Sequence, residues 1–369
     1  MKILMFGPAK GHNVKRFLDY FQRSPEHELY YFYFTKLEHY DLSHYDRIYW
    51  IPYYKPFRLF KTLRKRLDFL WVHNWTPLSV LLFILIFRRR DVPINFNVWS
   101  EPVPLKARSK TFKGAFYRFF FRRCRTVQCT WFSTYDHIKT LKGVNPVLLR
   151  WGMEEGWFRE DQNAPYADET KEFLQRLPKG KLRFFFPKSL GLYNRHDLII
   201  EACHRLVAEG RQNFVIYFWL GNHNPPEKLE EYGQRIEKRG LAPYIELVEH
   251  SFLPLEDIKA IWKAMDVGLQ ILDKDQFSTS IQEAMLLKKE VVASDIPPYR
   301  KFEEQYGLDL ALIPNEEKAI ATRMGELLDG ERTDEEELEK RKKVLEKEYR
   351  FDKNIERMLS FFQEAPSSS

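Results

Sequence analysis

The stretch VGLQILDKDQFSTSIQEAMLLKKEVVASD, residues 267–295, contains the pattern that decides the fold. An apolar run of strand length is followed by a short polar segment, by a segment predicted to be helical over residues 280–288, and by a second apolar run, EVVASD. A strand, a helix and a strand in this order predict two parallel strands joined by a helical crossover. The stretch therefore predicts an α/β unit.

The same alternation continues on both sides of this unit. Upstream, the β-prone runs RFFFP, NFVIYFWLG and YIELV are separated by predicted helices at 194–209, 227–239 and 255–265. The first half of the chain repeats the pattern with KILMF, ELYYFYF, RIYWIP, FLWVHNW, INFNVW, TVQCTWF and PVLLRW, and with predicted helices at 14–22, 78–87 and 109–123. Two doubly wound parallel sheets are therefore predicted, with ligands at the carboxyl ends of their strands.

The length of 369 residues favours two domains over one. The polar segment REDQNAPYADET, residues 159–170, separates the two series of strands and indicates the boundary. We predict a first domain at 1–165, a second at 166–350, and a C-terminal helix with a frayed tail at 351–369.

Charge is distributed unequally between the two halves. Residues 1–150 hold 27 Lys and Arg against 10 Asp and Glu, whereas residues 151–369 hold 32 against 42. The basic residues alternate with Phe and Tyr in three segments, at 55–67, 87–90 and 106–125. This composition predicts an anionic partner for the first half, and we interpret 106–125 as a helix at an anionic membrane surface. The alternative is a packed helix with a solvated basic edge; no recognised module supports nucleic acid.

The remaining global features favour a protein of a reducing compartment. The three cysteines have no paired metal spacing, and the first residues lack the apolar core and cleavage site of a signal peptide. The most apolar run, PLSVLLFILIF at 77–87, is about half the roughly 20 residues that span a bilayer. We interpret it as a buried helix; the alternative is a re-entrant or membrane-touching segment. The predicted location is the cytoplasm, peripherally on the inner face of the cytoplasmic membrane.

Several polar side chains surround the start of the helix in the opening stretch. Asp273 and Asp275 have the form of an Asp-x-Asp metal motif, but three residues are weak evidence and we predict no metal. Ser278, Thr279 and Ser280 stand where a helix begins after a strand, which favours an anion site built from backbone N–H groups. Glu283, in the first turn, either reaches a ligand or completes a capping box with Ser280.

Four blocks in order, together with a segment near the N-terminus, resemble the glycosyltransferase family 4 enzymes. DQFSTSIQEAMLLKKEVVAS, 275–294, resembles the family signature E-x-F-G-x4-E-A-M-A-x-G-x-P-V-V-A-S. PVLLRWGMEEGWF, FFFPKSLGLYNRHDLIIEACHRL and VEHSFLPLEDIKAIWKAMDVGLQIL resemble the blocks that precede it, and GHNVKRFLDYFQRSPEHELYYFYF resembles the first helix of one branch. The resemblance implies the GT-B fold, with two Rossmann-like domains facing across a cleft and a C-terminal helix returning to the first domain.

The resemblance also implies roles for individual residues. Glu283 would contact the nucleotide ribose, Asp275 the sugar hydroxyls, and a basic pair the diphosphate. Lys188 fits the first basic position; Arg195 is chosen for the second, although Asn194 aligns there. The other implied contacts are Ser278, Thr279 and Ser280 with the diphosphate, Ser251, Phe252 and Leu253 with the base, and Glu101 with the acceptor or the reacting sugar. Gly11 and His12 follow the first strand, where a loop would face the inter-domain cleft; we assign Gly11 to donor binding and His12 to an acceptor or donor contact.

The predicted function is transfer of a sugar, with retention, from a UDP- or GDP-sugar to a glycan or lipid-linked glycan in polysaccharide or glycoconjugate assembly. No cofactor is required. Lys288, Glu290 and Ser278 replace the usual Gly, Pro and Gly of the signature, which implies a divergent branch similar to surface-polysaccharide enzymes. Two alternatives stay open: a nucleotide-sugar epimerase of the same fold, and a catalytically weak membrane scaffold.

Overall fold

A computed structural model describes residues 1–7, 12–34, 44–73, 76–98, 102–159, 165–221, 224–250 and 253–364. The chain forms two compact units, Met1–Trp151 together with Phe351–Ser369, and Gly152–Arg350. Each unit is built on a parallel sheet with helices between consecutive strands, as the alternating pattern predicted. The domain boundaries given above stay predictions.

The first unit contains a seven-stranded sheet in the order β3-β2-β1-β4-β5-β6-β7. Its strands are β1 Lys2–Gly7, β2 Glu28–Tyr33, β3 Ile48–Pro52, β4 Phe69–His73, β5 Ile94–Val98, β6 Thr126–Cys129 and β7 Pro146–Leu148. Its helices are α1 His12–Arg23, α2 Pro56–Leu63, α3 Leu78–Phe87, α4 Pro102–Arg108, α5 Phe112–Phe121 and α6 Phe132–Ile138. Strand order reverses between β1 and β4, the topology of a doubly wound sheet.

The second unit contains a six-stranded parallel sheet in the order β10-β9-β8-β11-β12-β13. Its strands are β8 Leu182–Phe186, β9 Phe214–Leu220, β10 Ile245–Glu249, β11 Val267–Gln270, β12 Glu290–Ser294 and β13 Leu312–Ile313. Its helices are α7 Asp168–Gln175, α8 His196–Ala208, α9 Pro226–Lys238, α10 Leu255–Ala264, α11 Thr279–Leu286, α12 Pro297–Tyr306, α13 Glu317–Leu328 and α14 Glu335–Glu348. The uninterrupted apolar sequence of β9, FVIYFWL, follows from burial on both faces.

The last helix, α15 Phe351–Glu364, belongs to the first unit, as the fold prediction expected. Its apolar face packs in a core with β1, β2, β4 and α1. The Phe362 ring meets Trp71 edge-on at 5.7 Å, and Arg125 donates to the Phe362 carbonyl at 2.8 Å. The helix therefore completes one face of the first sheet.

Two of the helical predictions in the first half need correction. The run predicted as a buried helix, α3, buries Leu81 and Ile84 but leaves Leu82 and Ile86 exposed. The helix predicted at 109–123, within the segment 106–125 interpreted as interfacial, corresponds to α5, which follows α4 after a break. No helix in the described ranges is long and apolar enough to cross a bilayer.

Most aromatic rings of α5 are internal. Tyr117, Phe120 and Phe121 are buried in the core of the first sheet. Arg118 donates to the carbonyl oxygens of Ala107 and Ser109 at 2.6 and 2.7 Å, which fastens α5 to the end of α4. The regular alternation of Arg and Phe here reflects packing on one side and hydrogen bonding on the other, and only Phe112 and Phe119 among its rings are strongly exposed.

Candidate active site

The second unit contains a cavity at the point where its strand order reverses, between β8 and β11. The cavity has a volume of about 350 Å³, within the range of small-molecule sites. Residues from the carboxyl ends of β8, β9 and β10 and from the start of α11 line it, as expected for an open α/β sheet. The lining residues are Phe185, Pro187, Lys188, Ser189, Trp219, Gly221, His250, Ile258, Ile261, Trp262, Thr279, Ser280 and Glu283.

Lys188 brings a cation into this cavity. Its Nζ donates to Ser278 Oγ at 2.8 Å. Burial lowers the pKa of Lys188 below its usual value, while the nearby carboxylates of Asp275 and Glu283 act in the opposite direction. A lysine in these surroundings is held against the start of α11, where an anionic ligand would meet both the cation and the helix N-terminus.

His196 fixes the backbone of the loop that carries Lys188. Its Nε2 lies 3.1 Å from the Lys188 carbonyl oxygen, and its ring packs edge-on against Phe186 and Phe218. Burial lowers the pKa of His196 to about 4, so the ring is neutral at pH 7. A neutral imidazole has one N–H, and the closer carbonyl is that of Lys188. His196 thus orients the segment between β8 and α8.

The start of α11 is held by Asp275. Ser278 is the N-cap residue, and its backbone N–H donates to Asp275 Oδ2 at 2.9 Å. The same oxygen accepts a hydrogen bond from the buried Tyr299 hydroxyl. Burial, reinforced by Asp275, raises the pKa of Tyr299 well above its usual value, so this hydroxyl stays protonated. Asp275 does not line the cavity, and it supports the start of α11 through its hydrogen bond with Ser278.

Phe277 has an unusual backbone conformation next to this cap. Its φ of 61° lies in the left-handed region, which is strained for a bulky residue by about 1–3 kcal/mol. The ring is buried and stacked on Phe302 at a centroid distance of 4.0 Å, and it also contacts Tyr299 and Tyr349. Packing of the ring therefore holds the turn that aims the start of α11.

Glu283 enters the cavity from the first turns of α11. Its Oε2 accepts a hydrogen bond from Trp262 Nε1 at 2.8 Å. Trp262 is fully buried on α10, and Gly268 leaves room for its ring, since a Cβ there would lie 3.1 Å from the indole. The helix begins at Thr279, and Ser280 Oγ donates to Gln270 Oε1 at 3.1 Å. Glu283 is therefore oriented by an indole from the neighbouring helix.

The rest of the cavity wall is aromatic. Trp262 meets Phe185 edge-on at 4.8 Å, and the His250 ring stacks on Trp219 at 4.7 Å. These rings extend from α10, β8, the end of β9 and the residue after β10. Flat apolar walls beside a cation and a helix N-terminus suit a ligand that has both a planar ring and an anionic group.

Arg195, predicted to share the diphosphate with Lys188, is placed differently. Its guanidinium forms a two-pronged pair with Asp197 at 2.8 and 2.9 Å, and its Nη1 donates to Asp273 at 3.0 Å. These carboxylates raise the pKa of Arg195, chiefly through Asp197. It is not among the lining residues. Arg195 thus ties the start of α8 to the loop after β11, and its role at the diphosphate stays a prediction.

The other predicted residues divide into three groups. Lys188, Thr279, Ser280 and Glu283 line the cavity, Ser278 contacts Lys188, and Asp275 contacts Ser278. Leu253 is buried just before α10. Gly11, Glu101, Ser251 and Phe252 lie outside the described residues, as does the side chain of His12. Across the described ranges, no group of three or more His, Cys, Asp or Glu is arranged to hold a metal ion.

Sequence reasoning missed the aromatic wall and His250. Gly221 and His250 directly follow the last residues of β9 and β10, so the rule that ligands gather at carboxyl strand ends could have found both. Trp219 and Trp262 had no such signal, because an aromatic residue inside a strand or an amphipathic helix is normally a core residue.

Structural comparison defines the class of protein. HepE from Anabaena in complex with UDP and glucose matches with 15% identity and a TM-score of 0.70, covering 98% of this chain and 99% of that chain. A glycosyltransferase from Rickettsia africae matches with 14% identity and a TM-score of 0.77, covering 100% and 99%. Sucrose-phosphate synthase from Thermosynechococcus elongatus matches with 13% identity and a TM-score of 0.71, covering 99% and 98%. The fold is the GT-B fold of glycosyltransferases.

The family follows from the second unit. Residues 168–350 match the family described as glycosyl transferases group 1. This region is therefore a group 1 glycosyltransferase domain, and the chain is a transferase enzyme. None of the curated proteins matches the sequence significantly.

Proposed function

We propose that this protein transfers a sugar, with retention of configuration, from a nucleotide-diphosphate sugar to a hydroxyl group of a glycan or lipid-linked glycan. The observation that carries the proposal is the cavity at the strand reversal of the second unit. There Lys188 and the N-terminus of α11 lie beside an aromatic wall and the carboxylate of Glu283. A diphosphate, a ribose and a planar base require these three kinds of contact.

The donor is proposed to bind with its diphosphate at the start of α11. The N–H groups of Thr279 and Ser280 and the Lys188 ammonium donate to phosphate oxygens, and Glu283 accepts from the ribose hydroxyls. The base lies toward His250 and Leu253, near the predicted contacts Ser251 and Phe252. Uridine is favoured because HepE, which has the same fold, contains UDP.

The chemistry depends on charge that develops on the leaving group. The bond from the anomeric carbon to the diphosphate oxygen breaks, and its electron pair stays on the diphosphate. The acceptor oxygen bonds the anomeric carbon on the same face, and the acceptor proton passes to a phosphate oxygen of the leaving group. Lys188 and the α11 N-terminus stabilise the added negative charge, which is the main catalytic contribution that the cavity offers.

The remaining site residues complete the proposal. Asp275 contacts sugar hydroxyls with the oxygen that no described residue bonds, Oδ1. In the first unit, Gly11, His12 and Glu101 contact the acceptor or the reacting sugar. A lipid-linked acceptor would lie in an anionic membrane, and the excess of Lys and Arg in the first 150 residues would attract the protein to it.

The experiment measures donor binding and turnover separately. Purified protein is titrated calorimetrically with a panel of UDP- and GDP-sugars, and the products are analysed with and without a glycan acceptor. Glu283→Ala and Lys188→Met should each weaken binding of one donor about tenfold or more, since each removes a charge-assisted contact. Glu231→Ala is the matched control, because this glutamate is exposed on α9 and does not line the cavity.

Two results would oppose the proposal. Failure to bind any donor of a broad panel would refute the assignment of the cavity. Conversion of a UDP-sugar to its epimer without any acceptor would assign the same cavity to an epimerase. Turnover that requires an acceptor, with a product of retained anomeric configuration, is the expected outcome.

A further inference from the structure

The first unit exposes apolar side chains on two neighbouring helices, far along the chain from the donor cavity. On α2, Leu59 and Leu63 are buried while Phe57 is 72% exposed. On α3, Leu81 and Ile84 are buried while Ile86 is 61% exposed and Leu82 is 49% exposed. Large apolar side chains that are exposed together on a soluble unit mark a place of interaction.

The two helices bring these side chains into one patch. Phe60 of α2 meets Phe87 of α3 edge-on at 5.5 Å, and Phe57 lies 6.1 Å from Phe60. Phe83 and Phe87 form one stripe along α3, and Leu82 and Ile86 form the adjacent stripe. The Phe60–Phe87 contact joins the two helices, and we define the α2–α3 surface as their exposed residues together with the two residues before α2: Tyr54, Lys55, Phe57, Arg58, Lys61, Leu82 and Ile86.

The α2–α3 surface is strongly basic. Residues 47–67 contain seven Lys and Arg and no Asp or Glu. Lys55 and Lys61 lie over the rings of Tyr54 and Phe57, at 5.8 and 5.9 Å. Within the part of the chain that the structure describes, no carboxylate forms an ion pair with Lys55, Arg58 or Lys61. Cations and large apolar side chains thus project from the same place.

We propose that the α2–α3 surface binds the face of an anionic lipid bilayer. Phe57, Leu82 and Ile86 enter the boundary between headgroups and acyl chains, and Lys55, Arg58 and Lys61 contact the anionic headgroups. Aliphatic Leu82 and Ile86 distinguish this partner from nucleic acid, because a phosphate backbone has no apolar medium to receive them. The inference rests on the membrane association proposed above and assigns it to α2 and α3 instead of α5.

The α5 segment is the natural comparison within the same unit. It also combines cations with rings, yet three of its rings are buried and Arg118 and Arg122 donate to backbone carbonyls. The exposed Phe119 ring is covered by Arg123 at 3.5 Å. Phe112 is the most exposed of the α5 rings, at 88%, so Phe112 and Lys113 supply matched control positions of similar exposure and charge.

The test is flotation of the full chain with vesicles of phosphatidylcholine, with or without phosphatidylglycerol. Binding is expected only to the anionic vesicles. Lys55→Gln, Arg58→Gln and Lys61→Gln together should weaken it roughly 100-fold, on the order of fivefold for each cation. Phe57→Ser with Ile86→Ser should weaken it about tenfold or more, whereas Phe112→Ser with Lys113→Gln should change it less than about twofold.

All variants should keep the UDP affinity and melting temperature of the parent, because the altered side chains are exposed and remote in sequence from the cavity residues. The proposal is overturned if no vesicle is bound, if neutral and anionic vesicles are bound equally, or if the control pair has the larger effect. It is also overturned if a duplex oligonucleotide binds more tightly than anionic vesicles and does so independently of Phe57. If the parent protein does not bind UDP, the proposed donor site is refuted, and the vesicle result is unaffected.

Discussion

Replacement of Thr279 by proline tests whether the backbone at the start of α11 binds a diphosphate. Thr279 is the first residue of the helix, where the N–H group has no partner within the helix. Proline is well tolerated at this position, and the residue before it must be extended. Ser278 has φ −59° and ψ 160°, which meets that requirement. The substitution therefore removes one N–H group while the helix should still form.

The expected loss is that of one hydrogen bond to an anion, about 1.5–3 kcal/mol, or roughly 10- to 100-fold in UDP affinity. Thr279→Ala keeps the N–H and removes the hydroxyl, so it is the matched control and should lose much less. Calorimetric titration with UDP gives both affinities, and thermal melts show whether the fold is intact. Equal affinity of Thr279→Pro and the parent at an unchanged melting temperature would refute the backbone anion site, and an equal loss in Thr279→Ala would assign the contact to the hydroxyl.

Three further predictions concern single contacts. Trp262→Phe and Glu283→Ala should be coupled by about 1.5 kcal/mol in a double-mutant cycle of UDP binding, because the indole orients the carboxylate. A coupling near zero would mean that Trp262 is only a packing residue. Lys288 has φ 52°, a backbone conformation that favours glycine. Lys288→Gly should therefore be about 1 kcal/mol more stable to urea unfolding than Lys288→Ala. The two variants are matched, because both lose the ion pair with the α14 carboxylates. His196 has a pKa of about 4 when folded against 6.5 unfolded, so the unfolded state gains the proton first as the pH falls. About 3 kcal/mol of stability should be lost between pH 6.5 and 4, and urea unfolding of His196→Asn should show a smaller loss.

The polar half of the cavity could be predicted from the sequence because it depends on local order. A strand, a polar turn and a helix place Thr279 and Ser280 at a helix N-terminus, and the structure begins α11 at Thr279, one residue before the predicted start. Helical spacing places Glu283 near the start of α11, but its assignment to a ligand, and not to a cap, required the resemblance. Lys188 required the resemblance, since a single lysine after a strand is usually a surface residue.

The parts that could not be predicted depend on contacts between distant segments. Arg195 was assigned a ligand role because it is the cation nearest the aligned position, but Asp197 and Asp273 occupy its guanidinium. Trp262 is one apolar residue of an amphipathic helix in the sequence, and only the packing of α10 against α11 turns its N–H toward Glu283. In α5, alternation of Arg and Phe indicated an interface, although the rings face inward.

Asp275 and Phe277 together determine which backbone N–H groups at the start of α11 face the cavity. The Ser278 N–H donates to Asp275, and the Ser278 hydroxyl accepts from Lys188, so Ser278 anchors the cation, while its contact with the diphosphate stays a prediction. Thr279 and Ser280, the next two residues, line the cavity with N–H groups that the first turn leaves unpaired. The left-handed backbone of Phe277 forms the turn that lets Asp275 reach the N–H group of Ser278. Packing of the buried Phe277 ring offsets the strain of this conformation. Asp275 thus sets the geometry of the proposed anion site through its bond to Ser278. Its bond to Tyr299 fixes the orientation in which Oδ1 would meet a sugar hydroxyl.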